Sequence, residues 1–163
     1  MANFQYLRKP WDHQRRIVEQ ATAPGMRDFA FFMDMGTGKT FTTTNVLRKK
    51  FIEHGRVLKT LVLCPVAVTV NWQREFEMTS KLGPRVVILG GSEKKRLAVF
   101  NQKTQLNDTP IFVTNFEALQ MKGLMQAVLK WAPEVLIVDE SQKLKNPRGV
   151  RTKMAIMIAD LAL

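Results

Sequence analysis

Lys39 and Thr40 follow two glycines in the run Gly36-Thr37-Gly38-Lys39-Thr40, and residues of these types in this order suit a phosphate group. Gly36 and Gly38 let backbone N–H groups turn inward and approach phosphate oxygens, where any Cβ would intrude. A helix opening at Lys39 aims the positive end of its dipole at the same anion. The Lys39 ammonium can reach β- and γ-phosphates, and the Thr40 hydroxyl can ligate Mg²⁺. The candidate nucleotide contacts are Met35, Gly36, Thr37, Gly38, Lys39 and Thr40. The strict pattern asks for a glycine five positions before Gly38, where Met33 stands. Taken alone, the run also reads as an ordinary glycine turn between a strand and a helix.

A second acid-bearing stretch completes the chemistry. Val135-Leu136-Ile137-Val138 is an apolar run that ends on Asp139-Glu140. Asp139 can hold Mg²⁺ through water, and Glu140 can polarise an attacking water. Asp-Glu at the end of a strand is also a common way to begin a turn. The order of the two stretches, glycine loop first and acidic strand end later, favours a nucleoside triphosphate site using ATP and Mg²⁺. Gln14 is the candidate adenine reader, because a carboxamide both donates and accepts. On a helix surface by itself, a glutamine carries no such meaning.

These groups need elements to hold them. Apolar runs at 29–33, 57–64, 85–89, 111–114 and 135–138 predict five buried strands. Between them the pattern predicts helices: one after Asp12, one from Lys39 to Phe51, one from Val68 to Leu82, one from Ser92 to Phe100, one from Asn115 to Trp131, and a last one from Thr152 to Leu163. Asp12, Ser92 and Asn115 are the expected caps. Gly83-Pro84, Gly90-Gly91 and Pro133 punctuate the chain. The alternation predicts an α/β fold, a mostly parallel sheet with helices on both faces, in a single domain over residues 1–163.

The bulk composition narrows the classes. A single cysteine, Cys64, excludes a disulfide framework, and no Cys/His cluster suggests zinc. His13 and His54 are far apart and read as ordinary polar residues. No apolar run approaches membrane-spanning length, and the first residues lack a secretory apolar region, so no membrane partner and an intracellular setting are expected. The net charge of +11 and pI near 10.2 favour a polyanionic partner, nucleic acid first.

Five stretches together resemble the first motor domain of superfamily-two helicases, in the Swi/Snf-like branch of DNA translocases. Leu7-Arg8-Lys9-Pro10-Trp11-Asp12-His13-Gln14 is similar to its adenine-recognition motif. Asp34-Met35-Gly36-Thr37-Gly38-Lys39-Thr40 is similar to its phosphate-loop motif. Leu61-Val62-Leu63-Cys64-Pro65 with Asn71-Trp72-Gln73-Arg74-Glu75-Phe76 resembles its Cys-Pro…Asn-Trp-x-x-Glu-Phe segment. Val113-Thr114-Asn115-Phe116-Glu117 stands where the family has Thr-Tyr-Glu, and Asp139-Glu140-Ser141-Gln142-Lys143-Leu144-Lys145-Asn146 resembles Asp-Glu-Ala-His-Arg-Ile-Lys-Asn. The resemblance implies a RecA-like P-loop NTPase fold.

It further implies that Lys39, Asp139, Glu140 and Gln142 carry ATP hydrolysis, with Gln142 replacing the family's histidine between nucleotide and partner domain. It places Pro65, Thr114 and Asn115 against one strand of DNA, expected to be duplex and gripped by its backbone. Lys143 and Lys145, with Arg148, Arg151 and Lys153, add non-specific attraction or form a solvated loop. Trp72 and Phe76 are read as core residues. The family's second RecA-like domain and its arginine finger are expected in cis or trans, so this chain reads as half of a motor: a shortened form, a fragment or one product of a split gene. Alone it is expected to bind ATP and hydrolyse it weakly. The compact spacing points to a cytoplasm, bacterial or phage-infected, rather than a nucleus. Two other functions stay open: a strand-separating DNA or RNA helicase of another branch, and a non-hydrolysing ATP- or DNA-binding module.

Overall fold

Four of the five apolar runs form strands, and all four lie in one parallel sheet of order β2-β3-β1-β4. The computed structural model describes residues 8–34, 36–79, 85–104 and 109–162. Chain order runs α1 (Asp12–Ala21), α2 (Lys39–His54), β1 (Thr60–Cys64), a 3₁₀ turn (Val66–Val68), α3 (Thr69–Thr79), β2 (Val86–Leu89), α4 (Glu93–Thr104), β3 (Ile111–Asn115), a 3₁₀ turn (Phe116–Gln120), α5 (Lys122–Trp131), β4 (Val135–Val138), a 3₁₀ turn (Ser141–Leu144) and α6 (Val150–Ala159). Two compact units emerge: Met1–Leu58 with Arg74–Pro84, and Lys59–Gln73 with Arg85–Leu163. None of the described helices is long and apolar enough to cross a membrane.

In the first unit, α1 buries Gln14, Val18 and Ala21, one face at helical spacing. Its cap is Trp11 rather than the expected Asp12, whose carboxylate instead accepts from Arg15 at 2.8 Å in the first turn. α2 begins one residue after Gly38 and ends on Gly55, both in left-handed backbone. Four of its first six residues are threonines, an unfavourable choice for a helix interior. The Thr42, Thr43 and Thr44 hydroxyls donate back to the carbonyls of Gly38, Lys39 and Thr40 at 2.9–3.0 Å, so a buried polar face satisfies itself.

The expected strand at 29–33 does not form. Phe29 and Phe31 stack edge-to-face at 5.4 Å, and Phe32 is 97% exposed. An apolar run supplies strand propensity, but a strand exists only where a neighbour completes its ladder. No described strand pairs with this run.

In the second unit β1 is an inner strand, hydrogen-bonded to β3 and β4. Leu61, Val62, Leu63 and Cys64 are fully buried, as are Phe112 and Val113 of β3. Helices α4, α5 and α6 contribute Phe100, Leu124, Val128 and Ile158 to the same core. The helix expected from Asn115 to Trp131 is divided at Met121. Glu93 of α4 is the cause: its Oε1 accepts the N–H groups of Gly123 and Leu124 at 2.7 and 3.1 Å. A carboxylate on two first-turn N–H groups makes a helix start there. A Cβ on Gly123 would stand 3.1 Å from that oxygen, so glycine admits the carboxylate. α4 itself runs one turn past the expected Phe100, and the Thr104 hydroxyl donates to the Phe100 carbonyl at 3.0 Å. The expected end of α3 at Leu82 lies outside the described residues, and α6 is shorter than expected, Val150–Ala159.

Phe112 meets Phe100 at 4.7 Å and Trp131 at 5.2 Å between ring centroids, with no exposed surface. Removing that ring leaves a cavity in the core. Phe112→Ala is expected to lower unfolding free energy by about 3–5 kcal/mol, measured by denaturant titration.

Candidate functional site

Gln14 does not face solvent; it is 5% exposed and bonded at both ends. Its Oε1 accepts from the Trp11 backbone N–H at 3.0 Å, and its Nε2 donates to the Thr37 carbonyl at 3.0 Å. The carboxamide therefore ties α1 to the glycine loop. Gly36 and Gly38 both take left-handed backbone, with φ of +80° and +84°. Around Gly36 a Cβ would meet open space, whereas at Gly38 it would stand 2.6 Å from Gln14 Nε2. The Lys39 ammonium donates to the carbonyls of Met33 and Asp34 at 2.9 and 3.2 Å, so its charge is held on the loop. The Thr37 hydroxyl closes the loop on the Asp34 carbonyl at 2.7 Å. Thr40 sits half-buried in the first turn of α2. The Arg8 guanidinium lies 5.5 Å from the centre of the Phe41 ring. Met35 lies outside the described residues.

The second unit holds the acid pair at the carboxyl edge of the sheet. The Asp139 N–H donates to the Leu63 carbonyl at 2.8 Å, extending the β1–β4 ladder by one residue. Asp139 Oδ2 accepts the indole N–H of Trp72 at 3.1 Å. Glu140 is exposed and left-handed, with φ of +57°, an unusual conformation for a residue with a Cβ. Gln142, Lys143 and Lys145 are exposed on the 3₁₀ turn and the loop after it. Cys64 has no exposed surface; burial, then the carboxylates of Asp139 and Glu140, push its thiol up to about 12. Pro65, half-buried, starts the turn toward α3.

Thr114 and Asn115 are placed differently from the sequence-based expectation. They are 1% and 7% exposed, and Arg96 of α4 occupies both side chains. Arg96 Nη1 donates to Thr114 Oγ1 at 2.7 Å, to Asn115 Oδ1 at 2.6 Å and to the Leu89 carbonyl at 2.8 Å, while Nε donates to the Gly91 carbonyl at 2.8 Å. Asn115 Nδ2 donates in turn to Glu117, which faces Arg151 at 3.7 Å. Asn115 therefore caps no helix with its side chain. Burial lowers the Arg96 pKa, and the Glu117 carboxylate opposes that shift. Sequence reasoning passed over Arg96 and assigned Trp72 to packing alone. Both carried a signal: Arg96 shares a helix face with Phe100, and a core tryptophan still owns an N–H that needs an acceptor.

The donors here are hard oxygens and backbone N–H groups, a set that fits Mg²⁺ and phosphate rather than a softer metal. No group of three or more His, Cys, Asp or Glu side chains that could hold a metal ion occurs among the described residues.

Residues 25–160 match the family described as "SNF2-related domain". The chain is 33% identical over 124 residues to "Chromatin remodeling factor mit1" of Schizosaccharomyces pombe, covering 71% of this chain and 8% of that protein. It is 26% identical over 126 residues to "Switch 2" of Arabidopsis thaliana, covering 71% of this chain and 14% of that protein. The chain thus spans a small fraction of the length of the curated relatives it matches. Its fold is similar to that of the "Sulfolobus solfataricus SWI2/SNF2 ATPase core in complex with dsDNA", with a TM-score of 0.72, 20% identity, and coverage of 94% of this chain and 31% of that one.

Two outcomes follow from this geometry. Gly36→Ala meets only left-handed strain, about 1–2 kcal/mol, whereas Gly38→Ala adds displacement of Gln14 and is expected to cost more by denaturant titration. Cys64 keeps its proton in the folded chain well above the 9.0 of a free thiol. Its contribution to stability is complete below about pH 9 and is lost as pH rises toward 12. Stability curves of the unsubstituted chain and Cys64→Ala are expected to converge over that window.

Proposed function

Because this chain belongs to the SNF2-related domain family, we propose that it is the nucleotide-binding half of an ATP-driven DNA translocase. One observation carries the reading: a glycine loop pre-shaped in left-handed backbone, braced by Gln14 and holding the Lys39 ammonium, at the start of a 16-residue helix.

Each residue has a task in this proposal. The loop N–H groups of 35–38 and the Lys39 ammonium hold the β- and γ-phosphates. Gln14, already part of the loop's bracing, reads adenine with what remains of its carboxamide's capacity. Thr40 offers a hydroxyl to Mg²⁺, and Asp139 offers its carboxylate through water. Held there by Thr40 and Asp139, Mg²⁺ would supply neutralisation of charge on the transferred phosphoryl group. Glu140 orients and polarises the attacking water, and Gln142 carries a hydrogen bond toward the partner domain.

The nucleic acid in this proposal is DNA, held by its backbone. Three observations support it: the +11 net charge, the exposed Lys143, Lys145 and Arg148, and the duplex DNA in complex with the structurally similar Sulfolobus solfataricus core. Since Thr114 and Asn115 spend their side chains on Arg96, their share of the contact falls to backbone groups, and Pro65 marks the neighbouring segment. Movement on DNA is proposed for the assembly with a second RecA-like domain, supplied in cis or in trans.

Calorimetric titration with Mg²⁺-ATP tests the nucleotide reading. Saturable binding is expected, weakened at least about 10-fold in Lys39→Ala, the loss of a charge-assisted contact. Absence of binding by the unsubstituted chain would overturn the assignment.

A further inference from the structure

We propose that Trp72 is a positioning residue for Asp139, and that its indole N–H, not its bulk, is what the site requires. The inference rests on the nucleotide reading above. Trp72 is 2% exposed, so its N–H has no water to turn to. Its acceptor is Asp139 Oδ2 at 3.1 Å, on the carboxylate assigned to Mg²⁺.

The arrangement constrains the acid from two sides. The Asp139 main chain is fixed by its ladder bond to Leu63 at 2.8 Å. Its side chain would still be free to choose a rotamer, and immediately after it the chain turns sharply through the left-handed Glu140. The indole removes that freedom. An indole N–H only donates, at every pH, so it always favours an acceptor carboxylate facing it. If the carboxylate swung away, the buried indole N–H would lose this acceptor. The bond uses one lone pair of Oδ2 and leaves Oδ1 wholly available to water or metal.

The helix that carries Trp72 adds a second consequence. α3 starts at Thr69, directly after the turn of Val66–Val68. That turn is locked by the Val68 N–H on the Pro65 carbonyl at 3.0 Å and the Thr69 hydroxyl on the Val66 carbonyl at 2.9 Å. Val66 and Val70 on its outer side are 65% and 46% exposed. Trp72 therefore links a hydrogen-bonded surface turn, in the segment proposed to meet the DNA backbone, to the carboxylate assigned to Mg²⁺ by a hydrogen bond.

The test compares Trp72→Phe, Asp139→Ala and the double variant, using ATP dissociation constants measured with Mg²⁺ and with chelator. Trp72→Phe is expected to leave the metal-free constant unchanged. It is expected to cut the affinity gained on adding Mg²⁺ by about 3- to 10-fold, the net worth of one ordinary hydrogen bond. In the Asp139→Ala background it is expected to change nothing further. A folded Trp72→Phe with a full Mg²⁺ gain, or one that weakens both constants alike, would overturn the proposal while leaving the nucleotide reading intact. No ATP binding by the unsubstituted chain would overturn both. A second measurement is independent of how well Trp72→Phe folds. Among the indole N–H signals of the three tryptophans in a nitrogen-15 spectrum, that of Trp72 is expected to move in Asp139→Ala and on adding Mg²⁺-ATP. A Trp72 signal indifferent to both would sink the idea.

Discussion

Cys64 and Asn115 end their strands level with one another, and Val138 ends beside Leu63, because β1 is paired in parallel register with β3 on one side and β4 on the other. That register puts every strand's carboxyl end along one edge. The acid pair, the Pro65 turn, the Arg96 cluster and the Glu117–Arg151 pair all occupy this edge of the second unit. A parallel strand is covered on both faces, so β1 and β3 are buried along their whole length, and β3 ends in the polar Thr114 and Asn115 held by Arg96.

Buried polar groups then give the apolar core its single arrangement. Arg96 bonds two side chains and two carbonyls around β2 and β3. Glu93 makes α5 begin where it does, and Trp72 orients Asp139. Each of these groups would be costly to leave unpaired, so each rejects alternative packings that hydrophobic burial alone would tolerate. In the first unit Gln14 has the same part, bracing a loop whose glycines could otherwise sample many conformations. Two of these groups, Gln14 and Trp72, are bonded directly to residues of the proposed nucleotide chemistry. Stability and function therefore draw on the same hydrogen bonds, and a substitution here changes both.

The proposed motor activity is consistent with this division of labour. Phosphoryl transfer asks little covalent chemistry of a protein and much placement. Placement is what the loop, the ladder-bound Asp139 and the indole provide. The strongly positive chain adds long-range attraction for a polyanion without specifying its sequence.

Local chemistry was legible in the residues themselves. Gly36-Thr37-Gly38-Lys39-Thr40 fixes a left-handed turn into a helix because only glycine takes that backbone cheaply, and apolar runs alternating with helical patterns fix strands, buried throughout in β1 and β3 and half-buried in the edge strand β4. Partner choice was not legible, because it depends on which elements meet. The apolar run at 29–33 reads as a strand, yet no described strand pairs with it. Thr114 and Asn115 read as surface contacts, yet an arginine from another helix claims them. Trp72 reads as core, yet its one polar atom reaches across 67 residues of sequence to the acid of the proposed site. Spacing along a chain determines local conformation and the kinds of chemistry on offer; only the tertiary structure decides which donor satisfies which acceptor, since that is settled by distance in space.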